Sequence, residues 1–201
     1  INHDELAFES FEAALNSGLS KGYIIFGLLY KLLDCKKDQV SKFDAYILEF
    51  AKVMKATKED FTEGITKYNA ELINLECDYP ECDKQYSQIL YTLTEEDLID
   101  YENIKWYSVE DEMSDVFFKI FIRLAERKFI ASDHDHEELT EFIAKYKFKE
   151  ILESIKKYLM QENLLKEFHM TLKEDPLSET LKNLDVQAHA LIYKELGLDT
   201  S

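Results

Sequence analysis

Apolar side chains recur at intervals of three and four residues along most of the chain, which is the period of an amphipathic α-helix. The clearest stripe lies between Ser41 and Ala56 and consists of Phe43, Tyr46, Ile47, Phe50, Val53 and Met54. Further stripes predict helices at 4–16, from Ser20 onward, at 58–75, after Ser108, from His136 to Gln161, and up to Leu196. The pattern therefore predicts about nine or ten helices joined by short loops.

Glycines and hydroxyl side chains mark the predicted helix boundaries. Gly18 and Gly197 stand where a left-handed glycine commonly ends a helix. A Ser or Thr followed three residues later by an acid has the spacing of a capping box, which forms at helix starts. This spacing occurs at Thr57 with Asp60, Thr94 with Asp97, Ser108 with Asp111, and Ser132 with Asp135. Part of the acidity is therefore expected in first turns, where the helix dipole favours it.

The composition supports an all-helical fold. Five glycines and two prolines in 201 residues are too few turn residues for a many-stranded sandwich or barrel. The apolar content of 46% is enough to build a core. We expect an all-α fold of stacked antiparallel helix pairs, either a two-layer arrangement of the HEAT or tetratricopeptide kind or a bundle. It should form one domain over 1–201, with a subdivision near 77–83 as the alternative.

The negative charge is concentrated in the middle of the chain. The net charge is −17, and thirteen acidic residues against two lysines lie between Glu76 and Asp115. A field of this sign repels nucleic acid and anionic membranes and attracts basic proteins. No apolar run is long enough to span a membrane, and the first residues do not have the pattern of a signal peptide. The expected partner is a basic protein or a lysine-rich segment.

Three patterns could carry chemistry, and each has a simpler explanation. The run Asp133 to Glu138 brings His134 and His136 near carboxylates, but helix-start chemistry explains the same residues. Arg127 and His134 have a spacing that resembles the motif of HEPN-type helical RNases, but a helix boundary is expected between them. We therefore predict no catalytic residues, no metal and no cofactor. An RNase or metal-dependent enzyme using these side chains is the alternative.

Cysteine usage bears on the compartment. Cys35, Cys77 and Cys82 are sparse and odd in number, which favours free thiols in a reducing environment. We expect Cys77 and Cys82 to lie as a thiol pair on the solvent side of a turn. The expected location is the cytoplasm.

One stretch resembles a known family. Eight residues resemble the first aromatic-acidic box of the HEAT-type domain at the C-terminal ends of eukaryotic translation initiation factors: Leu90, Leu93, Asp97, Leu98, Ile99, Glu102, Ile104 and Trp106. In that family, acidic and aromatic surfaces dock lysine-rich segments of partner factors. Separately, the stretch from Ala13 to Tyr30 resembles one Sel1-like or tetratricopeptide unit, in which small residues let two helices approach closely.

These observations predict a non-catalytic protein-binding module. Its predicted partner-binding residues are Glu95, Glu96, Asp100, Tyr101, Glu102, Trp106, Tyr107, Glu110 and Glu112. The carboxylates would attract the partner and the aromatic rings would fix it, although Trp106 also fits a buried anchor. Two roles remain open, namely a translation-factor-like adaptor and a bacterial immunity protein that neutralises a cationic, nuclease-type toxin.

Overall fold

The computed structural model describes residues 12–35, 39–75, 79, 82–106, 116–161 and 186–198, and these form helices and no strand. The predicted all-α fold class is confirmed. Residues 12–16 are helical. The longer elements of the described residues are α1 (Lys21–Leu32), α2 (Val40–Val53), α3 (Lys58–Leu75), α4 (Cys82–Glu95), a 3₁₀ turn (Tyr101–Asn103), α5 (Val116–Ala131), α6 (His136–Lys145), α7 (Phe148–Gln161) and α8 (Val186–Glu195).

The chain divides into two compact units, residues 1–108 and residues 109–201. Helices α1 to α4 and the 3₁₀ turn belong to the first unit, and α5 to α8 belong to the second. The alternative of a subdivision near 77–83 stays a prediction, because much of that segment lies outside the described residues. The assignment of 1–201 to one domain stays a prediction.

Helices α1 and α3 pack at very short range because glycines meet where they cross. A Cβ atom built on Gly64 would lie 2.6 Å from Ile25 Cγ2 and 2.7 Å from the backbone oxygen of Gly22. The backbone of α1 thus fills the space that a larger residue would need. The side chains buried in these two helices include Ile25, Leu29, Phe61, Ile65 and Leu72.

The outer face of α1 carries a row of aromatic rings. Phe26 contacts both Tyr23 and Tyr30, with 5.8 Å between ring centroids in each pair. Tyr23 is 47% exposed and Tyr30 is 42% exposed. These tyrosines therefore do not contribute to the buried side of α1.

Two predicted helix starts are confirmed. The Thr57 N–H donates to Asp60 Oδ2 at 2.8 Å, and the Asp60 N–H donates to Thr57 Oγ1 at 3.3 Å, which is a capping box at the start of α3. Ser20 caps α1 by accepting a hydrogen bond from the Tyr23 N–H at 3.0 Å. Hydroxyl caps therefore set both of these helix starts.

Two other predicted starts are wrong. Thr94 lies in the last turn of α4, and Asp97 follows that helix in the left-handed conformation with φ 54°. Ser132 follows α5, and its hydroxyl donates back to the Phe129 carbonyl at 3.0 Å. The cap of α6 is instead Asp135, which accepts from the Glu138 N–H at 3.0 Å. The fourth pair, Ser108 with Asp111, lies outside the described residues.

The expected long helix from His136 to Gln161 is also wrong. It is divided into α6 and α7 at Lys147, which is left-handed with φ 56°. The buried Phe148 follows. Its ring centroid lies 4.8 Å from that of Phe121 of α5 and 5.4 Å from that of Phe142 of α6. The chain turns here because Phe148 packs onto two helices, although the apolar period of the sequence continues through this point.

Candidate functional site

The predicted carboxylates gather where α4 ends and the 3₁₀ turn begins. We call Glu95, Glu96, Asp97, Asp100 and Glu102 the acidic corner. Four of these residues are exposed, and Asp100 is half-buried. Tyr107, Glu110 and Glu112 were also predicted to bind the partner, and they lie outside the described residues.

The backbone at the acidic corner forms a helix end of the Schellman type. The Leu98 N–H donates to the Leu93 carbonyl at 2.9 Å, and the Asp97 N–H donates to the Thr94 carbonyl at 3.0 Å. The C-terminal end of a helix carries about half a negative elementary charge from its aligned peptide dipoles. The carboxylates of the acidic corner therefore add to an end that is already negative.

Lys58 forms an ion pair with the acidic corner. Its Nζ lies 2.9 Å from Asp97 Oδ1, and both side chains are largely solvated. Asp100 accepts a hydrogen bond from the side-chain amide of Asn103. The carboxylates of Glu95 and Glu96 have no hydrogen bond or ion pair with the described part of the chain. Acidic side chains at a helix C-terminus typically cost about 0.3 to 1 kcal/mol each at low salt, so local stability does not explain them.

Tyr101 and Trp106 are core side chains, which corrects the expectation that their rings contact a partner. Each is only 2% exposed. Their rings stack with centroids 5.7 Å apart, and Trp106 Nε1 donates to the Tyr101 carbonyl at 3.0 Å. The interpretation of Trp106 as a buried anchor therefore holds. These rings support the acidic corner from beneath and do not form its surface.

A buried hydroxyl pair links the turn to α4. Thr94 Oγ1 donates to the Leu90 carbonyl at 2.6 Å, and it lies 2.7 Å from the Tyr101 hydroxyl. Because the single threonine proton is used on Leu90, the Tyr101 hydroxyl must donate to Thr94 Oγ1. The 3₁₀ turn is thereby fixed to the last turn of the helix whose end carries Glu95.

A second buried contact, which the sequence did not reveal, fixes the other end of this turn to α3. The Asn69 side-chain amide donates to the Lys105 carbonyl at 2.9 Å, and Asn69 Oδ1 accepts from the Tyr86 hydroxyl at 2.7 Å. Burial raises the pKa of Tyr86 well above its usual value, so its hydroxyl stays a neutral donor. Asn69 has no distinctive spacing from its partners, so no sequence signal identified it.

The residues considered for catalysis or metal binding are not brought together. Helix α5 ends at Ala131, and His134 lies beyond it with φ 65° and its ring stacked on Phe129 at 5.1 Å. Arg127 and His134 therefore do not share one helical face. Within the described ranges, no group of three or more His, Cys, Asp or Glu side chains could hold a metal ion.

The cysteines do not form a reactive centre in the described residues. Cys82 is a free thiol and is 1% exposed, so the expectation of a solvent-side thiol is wrong for this residue. Burial, together with the neighbouring charge of Asp34, raises the pKa of the Cys35 thiol and disfavours the nucleophilic thiolate. Cys77 lies outside the described residues.

Comparison with known protein families, curated proteins and solved structures gave no match. In the described ranges, no helix combines the length and apolar character needed to cross a membrane.

Proposed function

We propose that this chain is a non-catalytic interaction module that binds a basic protein or a lysine-rich segment through the acidic corner. The observation that supports this most directly is the pair of exposed carboxylates, Glu95 and Glu96, at the negative end of α4. Negative charge at a helix C-terminus is generally unfavourable, and a cationic partner would neutralise it. The resemblance of this stretch to the aromatic-acidic box implies the same kind of partner.

The site would act by attraction and by rigidity. The net charge of −17 speeds encounter with a positive partner over distances set by the ionic strength. The buried contacts of Tyr101 and Asn69 hold the turn on α4 and α3, so the backbone of the acidic corner needs little ordering on binding. Recognition then depends on charge and not on the two buried rings.

The test is a double reversal, Glu95→Lys with Glu96→Lys. We expect the Kd for a synthetic lysine-rich peptide to rise at least tenfold, which corresponds to about 1.4 kcal/mol. Isothermal titration calorimetry at low and at physiological salt measures this, and the effect should be larger at low salt. Circular dichroism checks that the fold is kept.

The matched control is Glu141→Lys with Glu150→Lys, which changes the net charge equally at exposed positions of α6 and α7. We expect the control to weaken binding much less. Equal losses in both variants would mean that only the total charge matters. An unchanged Kd in the first variant would remove the acidic corner as the binding site.

A further inference from the structure

The second unit contains a carboxylate with no contact to water. Glu126 on α5 is 0% exposed. Its Oε1 lies 3.1 Å from Nε2 of His189 on α8, and the side chain of His189 is only 15% exposed. Neither oxygen of Glu126 receives a well-directed hydrogen bond from the described residues. His189 is therefore the partner that α8 brings to the Glu126 carboxylate across the contact between the two helices.

An ionised carboxylate in such a place is tolerated only with a compensating positive charge. Imidazole supplies that charge only while it carries a second proton, which an unperturbed histidine loses near pH 6.5. If the pair lost this proton, Glu126 would remain as a buried anion with no positive charge supplied by His189. Protonation of the pair and attachment of α8 to α5 are therefore coupled.

We propose that Glu126 and His189 form a proton-dependent contact that holds α8 against α5, and that α8 detaches as the pair loses its proton. The sign follows from the charges. Attachment is strongest while the pair holds one proton, and it weakens as the pH rises and that proton is lost.

A second imidazole–carboxylate pair joins α8 to the same unit. Nε2 of His136, at the start of α6, lies 3.2 Å from Oε1 of Glu195, at the end of α8. This pair is more solvated, since the side chain of His136 is 56% exposed, and it should contribute less. Both pairs weaken when histidine is neutral, so they act in the same direction.

Other titratable and charged groups lie on the helices that carry or adjoin this pair. On α5, Lys119 and Arg123 share the helical stripe of Glu126, and Arg127 is adjacent in sequence. On α8, Tyr193 lies one turn beyond His189, and the stem of Lys149 from α7 approaches Gly197. Arg123 is itself buried and stays charged at every pH of interest, so its charge does not change as the pair loses its proton.

The experiment measures hydrogen exchange of the α8 amides from about pH 6 to about pH 8.5, corrected for intrinsic exchange rates. In the unmodified chain, we expect the opening equilibrium of α8 to increase at least tenfold over this range, the equivalent of one pKa unit of coupling. The amides of α6 serve as the internal reference.

Two variants make the test decisive. Glu126→Gln keeps the shape of the side chain but removes its charge, and we expect α8 opening to lose most of its pH dependence. His136→Gln should retain most of it. The proposal is overturned if α8 opening in the unmodified chain is independent of pH, or if Glu126→Gln keeps the full dependence. The first of these results does not require either variant to fold.

Discussion

At the scale of single residues, the Tyr101 hydroxyl shows how the acidic corner depends on the core. Tyr101→Phe keeps the ring that stacks on Trp106 but removes the donor to Thr94 Oγ1. We expect the free energy of unfolding of the first unit to fall by about 1 kcal/mol. Urea denaturation followed by the fluorescence of Trp106, the only tryptophan in the sequence, measures this.

The control for this prediction is Tyr23→Phe, because Tyr23 is 47% exposed on α1. Loss of a solvated hydroxyl should change the free energy of unfolding by less than about 0.5 kcal/mol. Equal effects of the two substitutions would contradict the assignment of the Tyr101 hydroxyl to a buried hydrogen bond.

Some residue roles could be predicted from the sequence, and others could not. Thr57 with Asp60 and Thr94 with Asp97 have the same spacing, yet the first pair starts α3 and the second lies at the end of α4. The difference is set by distant contacts, since Thr94 is held inside its helix next to the Tyr101 hydroxyl. A local motif shows which bonds are available, and tertiary packing selects among them.

At the scale of elements, the crossing of α1 and α3 gives a sharp prediction. Gly64→Ala would place a Cβ 2.7 Å from the Gly22 backbone oxygen, which cannot move aside as a flexible side chain could. The helices would have to separate, and we expect a loss of about 1 to 3 kcal/mol in the free energy of unfolding. Thermal and urea denaturation of the first unit measure it.

Gly27→Ala is the matched control, since Gly27 lies in α1 with nothing within 4 Å of its added Cβ. Alanine is the better helix former, so this variant should be more stable by up to about 1 kcal/mol. Opposite signs for the two substitutions would establish the close crossing. Stabilisation by Gly64→Ala would show that the helices are farther apart.

Helix existence was easier to predict than helix continuity. The apolar period from His136 to Gln161 passes through Lys147 without interruption, and no glycine or proline marks the break. The break arises because Phe148 packs on Phe121 and Phe142, contacts that no local pattern contains. The boundaries of α3, by contrast, follow from its capping box and its stripe, and they were predicted correctly.

At the scale of the whole molecule, the amount of negative charge can be predicted from the sequence, but the surroundings of each charged residue require the structure. The excess of carboxylates between 76 and 115 is plain from the sequence. The surroundings of the residues in this stretch cannot be predicted from the sequence. Asp97 pairs with Lys58, while Tyr101 and Trp106 are buried beneath the acidic corner. The predicted surface therefore keeps its described carboxylates and loses these two rings.

The net charge of −17 should make stability depend on salt, because like charges repel more strongly in the compact state. Between about 0.01 M and about 0.15 M sodium chloride the Debye length falls from roughly 30 Å to roughly 8 Å. We expect the unfolding temperature of the unmodified chain to rise over this range.

At low salt, the free energy of unfolding of the variant with Glu95→Lys and Glu96→Lys should exceed that of the unmodified chain by about 1 kcal/mol, since a positive side chain is favourable at a helix C-terminus. The unfolding temperature of this variant should also rise less with added salt. Greater stability combined with weaker peptide binding would show that these carboxylates serve recognition and lower the stability of the fold. A loss of stability in the variant would mean instead that they stabilise α4.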